Sequence, residues 1–266
     1  MRLEVLVSTV NKNVKKLVKN MKIDSDAIII NQCDRNDYEE IINNNHLIKV
    51  YYFKERGVGL SRNSALMRAT ADIVLFADDD EVLEDNYERK IIQEFKKNKK
   101  ADMIIFDISS IGSNRGIIKI DERKRVRKYN CLKYGAVRVA VKLEKIRTKN
   151  INYSLLFGGG CRYGSGEDSI FIYECIRKKM KAYTSPIVIC NVDFTNSSWF
   201  NGYNEKYYFD KGALFYQLHG RSALIFSYIY LLRHRNESNN LTYMQKIKLF
   251  KSGINEAKYG GVKNEK

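Results

Sequence analysis

Proline and histidine are almost missing from this sequence, with one proline (Pro186) and three histidines among 266 residues. A chain with a single proline holds no proline-rich linker, and it shows no low-complexity tract or internal repeat. His46, His219 and His234 are far apart, and no two cysteines have the CxxC spacing of a zinc ligand pair. These absences exclude a linker-rich modular protein, a solenoid and a zinc-binding domain.

Long apolar runs are also absent, since no stretch reaches the ~18 residues of a membrane-spanning helix. The first apolar run is short, follows one basic residue (Arg2) and is interrupted by Glu4, which is typical of a strand and not of a secretory signal. The five cysteines are odd in number and show no paired spacing. Together these features predict a cytoplasmic protein with reduced thiols.

Acidic residues are in the minority, and the formal net charge is +16. Residues 114–150 hold thirteen Lys or Arg against three Asp or Glu, and residues 221–266 hold nine against three. Basic surfaces attract polyanions such as nucleic acids, anionic lipids or phosphorylated substrates. We expect a functional role for the first segment, whereas the tail is interpreted either in this way or as a solvated lysine-rich surface.

The first 110 residues alternate regularly between strand-like and helix-like patterns. The predicted strands cover residues 3–10, 27–30, 48–53, 72–77 and 102–108. Helical patterns lie between them at residues 11–21, 37–44, 61–70 and 87–97. This order predicts a doubly wound α/β domain, in which helices flank a mostly parallel sheet and ligands bind at the carboxyl ends of the strands.

The run Asp78-Asp79-Asp80 directly follows the apolar segment DIVLFA. Alternate side chains of an extended segment point the same way, so Asp78 and Asp80 are expected to face one pocket. Carboxylate oxygens suit Mg²⁺ or Mn²⁺, which would take further ligands from water and phosphate and would neutralise a diphosphate leaving group. The alternative is a solvated turn, with Asp85 capping the next helix.

Two glycine-containing loops lead into predicted helices. In RGVGLSRN (residues 56–63), two glycines, two arginines and a helix N-terminus favour an anion. This loop matches neither a Walker A nor a GxGxxG motif, and a tight turn capped by Ser61 explains it as well. In GSGED (residues 164–168), a carboxylate at the loop-to-helix junction would be a general base towards a sugar hydroxyl, or would only cap the helix.

These motifs, in this order, resemble the family 2 glycosyltransferases with the GT-A fold, especially bacterial enzymes that assemble capsular polysaccharides and exopolysaccharides. The resemblance covers roughly residues 1–215 and rests on LEVLVSTVNKN, AIIINQCDR, RGVGLSRNSALMRATADIVLFADDDEV, FGGGCRYGSGEDSIF and SSWFNGYNEKYYFDKGALF. It implies a GT-A domain over residues 1–211, with a nucleotide-sugar-binding half (1–110) and an acceptor and catalytic half (111–211). Residues 212–266 would form a basic helical C-terminal extension.

The resemblance also implies roles for the matched positions. Asp168 would be the catalytic base, and Asp78 and Asp80 match the DxD motif, which holds a Mn²⁺ or Mg²⁺ ion. The donor-binding residues would be Ser8, Thr9, Asn31, Gln32, Arg62, Asn63, Asp78 and Asp79. The acceptor-binding residues would be Gly158, Gly159, Gly160, Glu167 and Trp199. The chain departs from the family in having Asn31 at a common Asp position. It also has no histidine between residues 168 and 219, so we expect no histidine ligand.

The reaction implied by the resemblance is an inverting displacement at the anomeric carbon. Asp168 would deprotonate an acceptor hydroxyl, whose oxygen attacks the sugar while a nucleoside diphosphate departs. The implied partners are a nucleotide-sugar donor, expected to be a UDP-sugar, and a saccharide acceptor, expected to be linked to a lipid diphosphate. The implied process is cell-surface polysaccharide synthesis.

Two other functions fit parts of the sequence. A Mg²⁺-dependent nucleotidyltransferase needs acids at a strand end and basic loops, but it does not need the Glu167-Asp168 pair. A nucleic-acid-binding module would use the positive charge, but the chain lacks the aromatic spacing, zinc ligands or helix-turn-helix signature of such modules, so nucleic acid is not expected as a partner.

The tail contains one unusually apolar helical segment, residues 223–235. It is rich in Leu, Ile, Phe and Tyr and ends in Arg233-His234-Arg235. Such a helix is expected either to lie on the anionic inner face of the cell membrane, as a peripheral contact, or to pack on the catalytic domain.

Overall fold

A mixed β-sheet forms the centre of the molecule. The computed structural model describes residues 1–111, 118–193, 202–234 and 241–260. The strands in these residues are β1 (Leu3–Val10), β2 (Asp26–Gln32), β3 (Asp37–Asn43), β4 (His46–Phe53), β5 (Ile73–Asp78), β6 (Glu81–Leu83), β7 (Met103–Ile111), β8 (Arg125–Val126), β9 (Val139–Lys142) and β10 (Ala182–Asp193). The sheet order is β3-β4-β2-β1-β5-β9-β7-β10-β6, and β8 pairs with β10.

Helices cover both faces of the sheet. They are α1 (Val14–Asn20), α2 (Val58–Arg68), α3 (Tyr87–Lys97), α4 (Leu143–Thr148), α5 (Glu167–Arg177), α6 (Glu205–His219), α7 (Ala223–Arg233) and α8 (Tyr243–Tyr259). Side chains of α1 and α3 pack with Val5 and Val7 of β1 on one face, and side chains of α2 and α5 pack with Leu6 on the other. The sheet is therefore the middle of three layers.

Six strands of the sheet share one direction, namely β4, β2, β1, β5, β7 and β10. Strands β4, β2, β1 and β5 are joined by parallel pairings, and β7 and β10 also pair in parallel. Strand β9 runs antiparallel between β5 and β7, and β3, β6 and β8 also run against their neighbours. The predicted α/β class, with a mostly parallel sheet flanked by helices and helices at the C-terminus, is confirmed.

Strand β5 shows how polar residues that are distant in the sequence come together at one edge of the sheet. Its residues from Ile73 to Ala77 are all buried, because helices cover both faces and leave no polar side to the strand. Register then places Asp78 beside Ser8 of β1, and Thr9 beside Asn31 of β2. These polar residues therefore meet at one edge of the sheet, at the carboxyl ends of the strands where ligand binding was expected.

Residues 37–44 differ from the prediction, because they form the strand β3 and not a helical turn. Strand β3 pairs antiparallel with β4, and the hairpin is closed by Asn44 and Asn45, with φ of 49° and 65°. Asparagine tolerates this left-handed conformation better than other residues with a side chain, and paired left-handed residues are typical of tight hairpins. Exposed and partly buried residues alternate from Tyr38 to Asn43, as expected for an edge strand with one exposed face.

The C-terminal helices α6, α7 and α8 pack against one another. A Cβ atom added at Gly212 of α6 would lie 2.4 Å from the carbonyl oxygen of Phe250 in α8, and one at Gly253 would lie 1.9 Å from that of Phe209. Glycine at both positions therefore lets the two backbones touch. The division expected after residue 211 lies inside α6. Across the described ranges, no helix combines the length and apolarity needed to cross a membrane.

Candidate active site

The guanidinium of Arg62, on α2, joins three carboxylates that are distant in sequence. Its Nη2 donates to Asp78 Oδ1 at 2.9 Å, and its Nη1 donates to Asp168 Oδ1 at 2.6 Å and lies 3.5 Å from Glu167 Oε1. The arginine side chain is only 3% exposed, whereas those of Asp78 and Asp168 are 36% and 24% exposed. The carboxylates of Asp78 and Asp168 are therefore partly accessible to solvent, whereas the guanidinium that joins them is buried.

The position of Arg62 is fixed by aromatic rings. The guanidinium carbon lies 5.1 Å from the ring centroid of Tyr153, and Tyr153 stacks on Phe171 of α5 at 4.1 Å. Burial lowers the pKa of Arg62, but the negative charges of Asp168 and Asp78 outweigh it and raise this pKa well above its ordinary value. Arg62 is therefore a permanent positive charge in the site.

The three acids at the end of β5, Asp78, Asp79 and Asp80, have different environments. Asp78 pairs with Arg62, as described above, and Asp79 Oδ2 accepts a hydrogen bond from Thr9 Oγ1 at 2.5 Å. Lys12 Nζ lies 4.0 Å from the same oxygen of Asp79. Asp79, which was predicted to bind the donor, thus ties the end of β5 to the end of β1. Asp80 is exposed.

Glu81, which the sequence reasoning left without a role, supports the acid run from beneath. Its Oε1 accepts the backbone N–H of Asp78 at 2.6 Å, and the residue is 1% exposed. Burial, together with the charge of Asp78, raises the pKa of Glu81 well above its ordinary value. The short strand β6 buries Glu81 and Leu83 on one side, and the sequence Glu81-Val82-Leu83 carries no pattern that would have identified the inward acid.

Asp168 is oriented by two donors at the start of α5. Its Oδ1 accepts from Arg62, and its Oδ2 accepts the backbone N–H of Ala136 at 2.8 Å. Gly166, which precedes the helix, has φ 116°, a conformation that favours glycine. The carboxylate is consequently fixed in one orientation and is still reachable from solvent.

The neighbouring Glu167 is more deeply buried, with 14% of its side chain exposed. Burial raises the pKa of Glu167 to about 7, and the charge of Asp168 acts in the same direction, while Arg62 opposes both. Glu167 therefore changes its protonation state near neutral pH.

The residues predicted to line the nucleotide pocket are held by bonds within the protein. Ser8 Oγ accepts from Ser61 Oγ at 2.9 Å. The side chain of Asn31 exchanges hydrogen bonds with the backbone of Lys12, at 2.8 and 3.3 Å, and Gln32 Nε2 donates to the carbonyl of Gly57 at 3.2 Å. Asn31 and Gln32 are 2% and 3% exposed, so they shape the wall of the pocket. Whether they also contact a base stays a prediction.

Asn63, predicted to lie near the donor phosphates, joins the two halves of the chain in this structure. Its Nδ2 donates to the carbonyl of Tyr153 at 3.0 Å, and its Oδ1 accepts the Tyr153 N–H at 2.7 Å. The Asn63 side chain thus both donates to and accepts from the backbone of Tyr153. Asn63 therefore positions the ring that lies over Arg62.

The glycines of the predicted acceptor loop lie against the start of α2. Gly159 accepts a hydrogen bond from the N–H of Val58 at 3.0 Å. Gly158 has φ 106°, and an added Cβ would lie 2.5 Å from Val58 and 2.8 Å from the carboxyl carbon of Glu167. The close approach to Glu167 requires glycine at this position. Gly160 also has positive φ, at 77°. Trp199, the other predicted acceptor residue, lies outside the described residues.

The loop is also held from the C-terminal helices, which the sequence reasoning did not anticipate. Asp210 Oδ2, on α6, accepts the backbone N–H of Gly164 at 2.9 Å and pairs with Lys206 Nζ at 2.6 Å. A Cβ added at Gly166 would lie 2.9 Å from Leu214 of α6. The segment that leads into Asp168 is therefore packed on α6.

The carboxylates of Asp78 and Asp80 would bind a divalent cation only together with water and substrate oxygens. Among the residues that the structure describes, no group of three or more His, Cys, Asp or Glu side chains is arranged to hold a metal. Asp78 and Asp80 offer carboxylate oxygens, which suit Mg²⁺ or Mn²⁺, and such ions keep waters and accept substrate phosphates as further ligands. The metal prediction is compatible with the residues present, and it stays a prediction.

This architecture, with acids at the carboxyl edge of a doubly wound sheet and a second acid pair on a facing helix, is the GT-A fold of glycosyltransferases. Residues 4–161 match the family model of glycosyl transferase family 2. The chain belongs to this family, and the expected relationship is confirmed. Of the three functions that the sequence left open, family membership supports the glycosyltransferase.

Solved structures show the same fold at low sequence identity. Residues 1–349 of S. aureus TarS in complex with UDP-GlcNAc match with a TM-score of 0.65 and 14% identity, over 96% of this chain and 82% of that chain. The complex with UDP matches with a TM-score of 0.62 and 12% identity, over 98% and 92%. A longer TarS chain matches over 49% of its length. None of the curated proteins matches this chain.

Proposed function

We propose that this protein is an inverting glycosyltransferase that moves a sugar from a UDP-sugar donor to a hydroxyl of a saccharide acceptor. The observation that carries the proposal is the pairing of Arg62 with Asp78, on the expected donor side, and with Asp168, on the expected acceptor side. Direct displacement requires both substrates to meet at one point. Arg62 brings the acids of both sides to one point.

Asp168 is proposed as the general base. Arg62 and the N–H of Ala136 each bond one of its oxygens, and each oxygen keeps a second lone pair for an acceptor hydroxyl. As the hydroxyl proton moves to Asp168, the acceptor oxygen forms a bond to the anomeric carbon. The bond from that carbon to the diphosphate oxygen breaks, and UDP leaves with the electron pair. Attack from the face opposite the leaving group inverts the anomeric centre.

The donor diphosphate is proposed to lie at the acid run. Asp78 and Asp80 would hold Mn²⁺ or Mg²⁺ together with diphosphate oxygens and water. When bound, the ion would offset the charge that develops on the leaving diphosphate. Asp79 keeps the run attached to Thr9, and Glu81 accepts the backbone N–H of Asp78, so the chain itself holds the acid run in place.

The nature of the two substrates is proposed from likeness to other proteins. UDP is proposed because TarS, which has the same fold, has been crystallised with UDP-GlcNAc and with UDP. A saccharide acceptor on a lipid diphosphate, used in cell-surface polysaccharide synthesis, is proposed because the motifs resemble those of bacterial enzymes with such roles. The glycine loop at residues 158–160 and Glu167 would border the acceptor.

The test is thermal stabilisation by a panel of nucleotide sugars with Mn²⁺, followed by assay of UDP release with the donor that stabilises most. We expect Asp168→Asn to lose transfer by about 10²- to 10⁴-fold, the usual contribution of a general base, while keeping the donor-dependent shift. We expect Asp78→Asn to lose the Mn²⁺-dependent part of the shift as well as transfer. The two variants thus separate the two halves of the site.

The matched control is Asp85→Asn, which removes a carboxylate that is 86% exposed and only seven residues from Asp78. It should behave as the wild type in both measurements. Absence of a shift with every nucleotide sugar, or full transfer by Asp168→Asn, would contradict the proposal.

A further inference from the structure

Helix α7 has an apolar side chain on almost every outward position. Its inward face is formed by Ala223, Ser227 and Leu231, which are buried. Its outward face is formed by side chains that are 37–61% exposed, namely Ile225, Phe226, Tyr228, Ile229 and Leu232. A helix on the surface of a protein in water usually presents polar residues outward, and exposed apolar patches mark interaction sites.

The charge around this apolar face is positive. Arg221 precedes α7, Arg233 is in its last turn, and both are exposed. Residues 219–234 contain no Asp or Glu. The neighbouring helix α8 has one acidic residue, Glu256, which pairs with Arg162, and its exposed basic residues are Lys248, Lys251 and Lys258. The surface therefore combines an apolar strip with two arginines, and among the described residues no carboxylate forms an ion pair with either of them.

A second copy of the chain fits this surface poorly. An 11-residue helix is about 16 Å long and ~10 Å wide, so its outward face is well short of the ~800 Å² per partner that a stable dimer buries. Two such faces would also bring Arg221 and Arg233 of both copies together, and residues 219–234 offer no acid to pair with them. A lipid surface with anionic head groups matches both properties, because it accepts apolar side chains and attracts arginines.

We propose that α7 docks the protein on an anionic lipid surface, with the apolar strip in the interface between head groups and acyl chains. Arg221 and Arg233 contact lipid phosphates on either side of the strip. The protein is held in this way as a peripheral protein at the inner face of the cell membrane.

This docking also bears on the acceptor, and to that extent it rests on the proposed function. Helix α7 packs on α6, and α6 holds the loop before Asp168 through Asp210 and Leu214. A surface that binds lipid is thus one helix away from the proposed base. The acceptor class that fits this arrangement is a saccharide on a membrane-embedded lipid diphosphate.

The test is co-sedimentation of the full chain with vesicles of phosphatidylcholine alone and of phosphatidylcholine with phosphatidylglycerol. We expect binding to the anionic vesicles only. Ile225→Ser/Leu232→Ser should weaken this binding at least tenfold, because it removes side chains that enter the interface. Arg221→Gln/Arg233→Gln should weaken it roughly 30-fold and reduce its dependence on salt.

The matched control is Ile42→Ser/Met67→Ser, which removes two apolar side chains that are 69% and 73% exposed on β3 and α2. It should bind as the wild type does. Circular dichroism of each variant shows whether it has folded, and the arginine variant tests the same surface without altering the apolar strip.

Three results would overturn the proposal: no binding to anionic vesicles, equal binding by the α7 variants and the control, or a wild-type dimer in light scattering that Ile225→Ser/Leu232→Ser abolishes. The last result would identify a second copy as the occupant. Sedimentation is measured without donor or acceptor, so its failure leaves the transferase proposal standing, and loss of UDP release leaves the vesicle result standing.

Discussion

Arg62 supplies the positive charge on which the acids of the site depend. One guanidinium faces Asp78, Glu167 and Asp168, so the cluster remains net negative even when Glu167 is protonated. Like charges at this distance repel unless a cation lies among them. The cluster is therefore held together by the arginine, and it retains an affinity for further positive charge.

At the scale of this residue we predict that Arg62→Ala lowers the free energy of unfolding by about 3 kcal/mol, the lower end of the range for a broken buried pair, since it leaves three partly buried carboxylates without their partner. Arg62→Lys should recover only part of the loss, because an ammonium group cannot bond Asp78 and Asp168 in the forked geometry of a guanidinium. Urea unfolding followed by circular dichroism measures both effects.

The control for this prediction is Arg35→Ala. Arg35 pairs with Asp37 at 3.8 Å, and its side chain is 60% exposed. Exposed pairs contribute about 0–1 kcal/mol, so this variant should unfold close to the wild type. A wild-type unfolding midpoint for Arg62→Ala would mean that water already solvates the three carboxylates.

At the scale of elements, α6 supports the loop that leads into the proposed base, Asp168. Asp210 accepts a hydrogen bond from the backbone N–H of Gly164, which lies four residues before Asp168. Asp210 is itself mostly buried. The packing of α6 on α8 through Gly212 and Gly253 leaves little freedom for α6 to shift. Asp210 is therefore a positioning residue for the proposed base.

We predict that Asp210→Ala lowers kcat/KM for the acceptor by roughly 10- to 100-fold, because the loop before Asp168 moves by a fraction of an ångström or more. Donor-dependent thermal stabilisation should remain. Asp210→Asn should restore much of the activity, since the amide oxygen still accepts the Gly164 N–H. Initial rates with varied acceptor and varied donor provide the measurement.

Glu205→Ala is the control, because it removes an exposed acid from the same helix. Its transfer rates should stay near those of the wild type. If Asp210→Ala raised the donor KM and left the acceptor kinetics unchanged, Asp210 would position the donor and not the proposed base. The prediction would then be wrong.

At the scale of the whole molecule, Glu167 makes stability depend on pH. Its pKa is raised from 4.5 to about 7 by burial and by Asp168. Below about 4.5 the group is protonated in both states, and its stabilising contribution is fully present. Between about 4.5 and 7 the folded protein keeps a proton that the unfolded chain has released, so the free energy of unfolding falls as the pH rises.

We therefore predict that Glu167→Gln becomes more stable relative to the wild type between about pH 5 and pH 8, by on the order of 2 kcal/mol. Urea unfolding of both proteins at the two pH values measures the change. Glu144→Gln, which removes a carboxyl that is 75% exposed, should show no such difference. A constant offset between Glu167→Gln and the wild type at both pH values would refute the assignment.

The parts of the fold that depend on local pattern could be predicted from the sequence. The strand predicted at residues 72–77 and the helix predicted at residues 87–97 follow from short-range patterns, and their bounds agree closely with β5 and α3. Strand β3 could not be predicted in this way, since apolar and polar residues do not alternate along it, and only pairing with β4 settles its conformation.

The candidate site was predictable only as a set of residue types. The resemblance named Asp78, Arg62 and Asp168, but not that one guanidinium would join them, because that contact depends on how α2 and α5 pack. Asp210 was missed for the same reason, since its partner Gly164 is 46 residues away. Asn63 was placed near phosphates by motif alone, whereas its amide bonds a backbone 90 residues distant.

The spacing of the Arg62 contacts also orders events during synthesis of the chain. Asp78 leaves the ribosome 16 residues after Arg62, whereas Asp168 follows 106 residues after it. At ~5–20 residues per second, that second interval is roughly 5–20 s. A nascent chain can therefore form the first pair with β1, α2 and β5 alone, and the proposed base joins an arginine that is already in place.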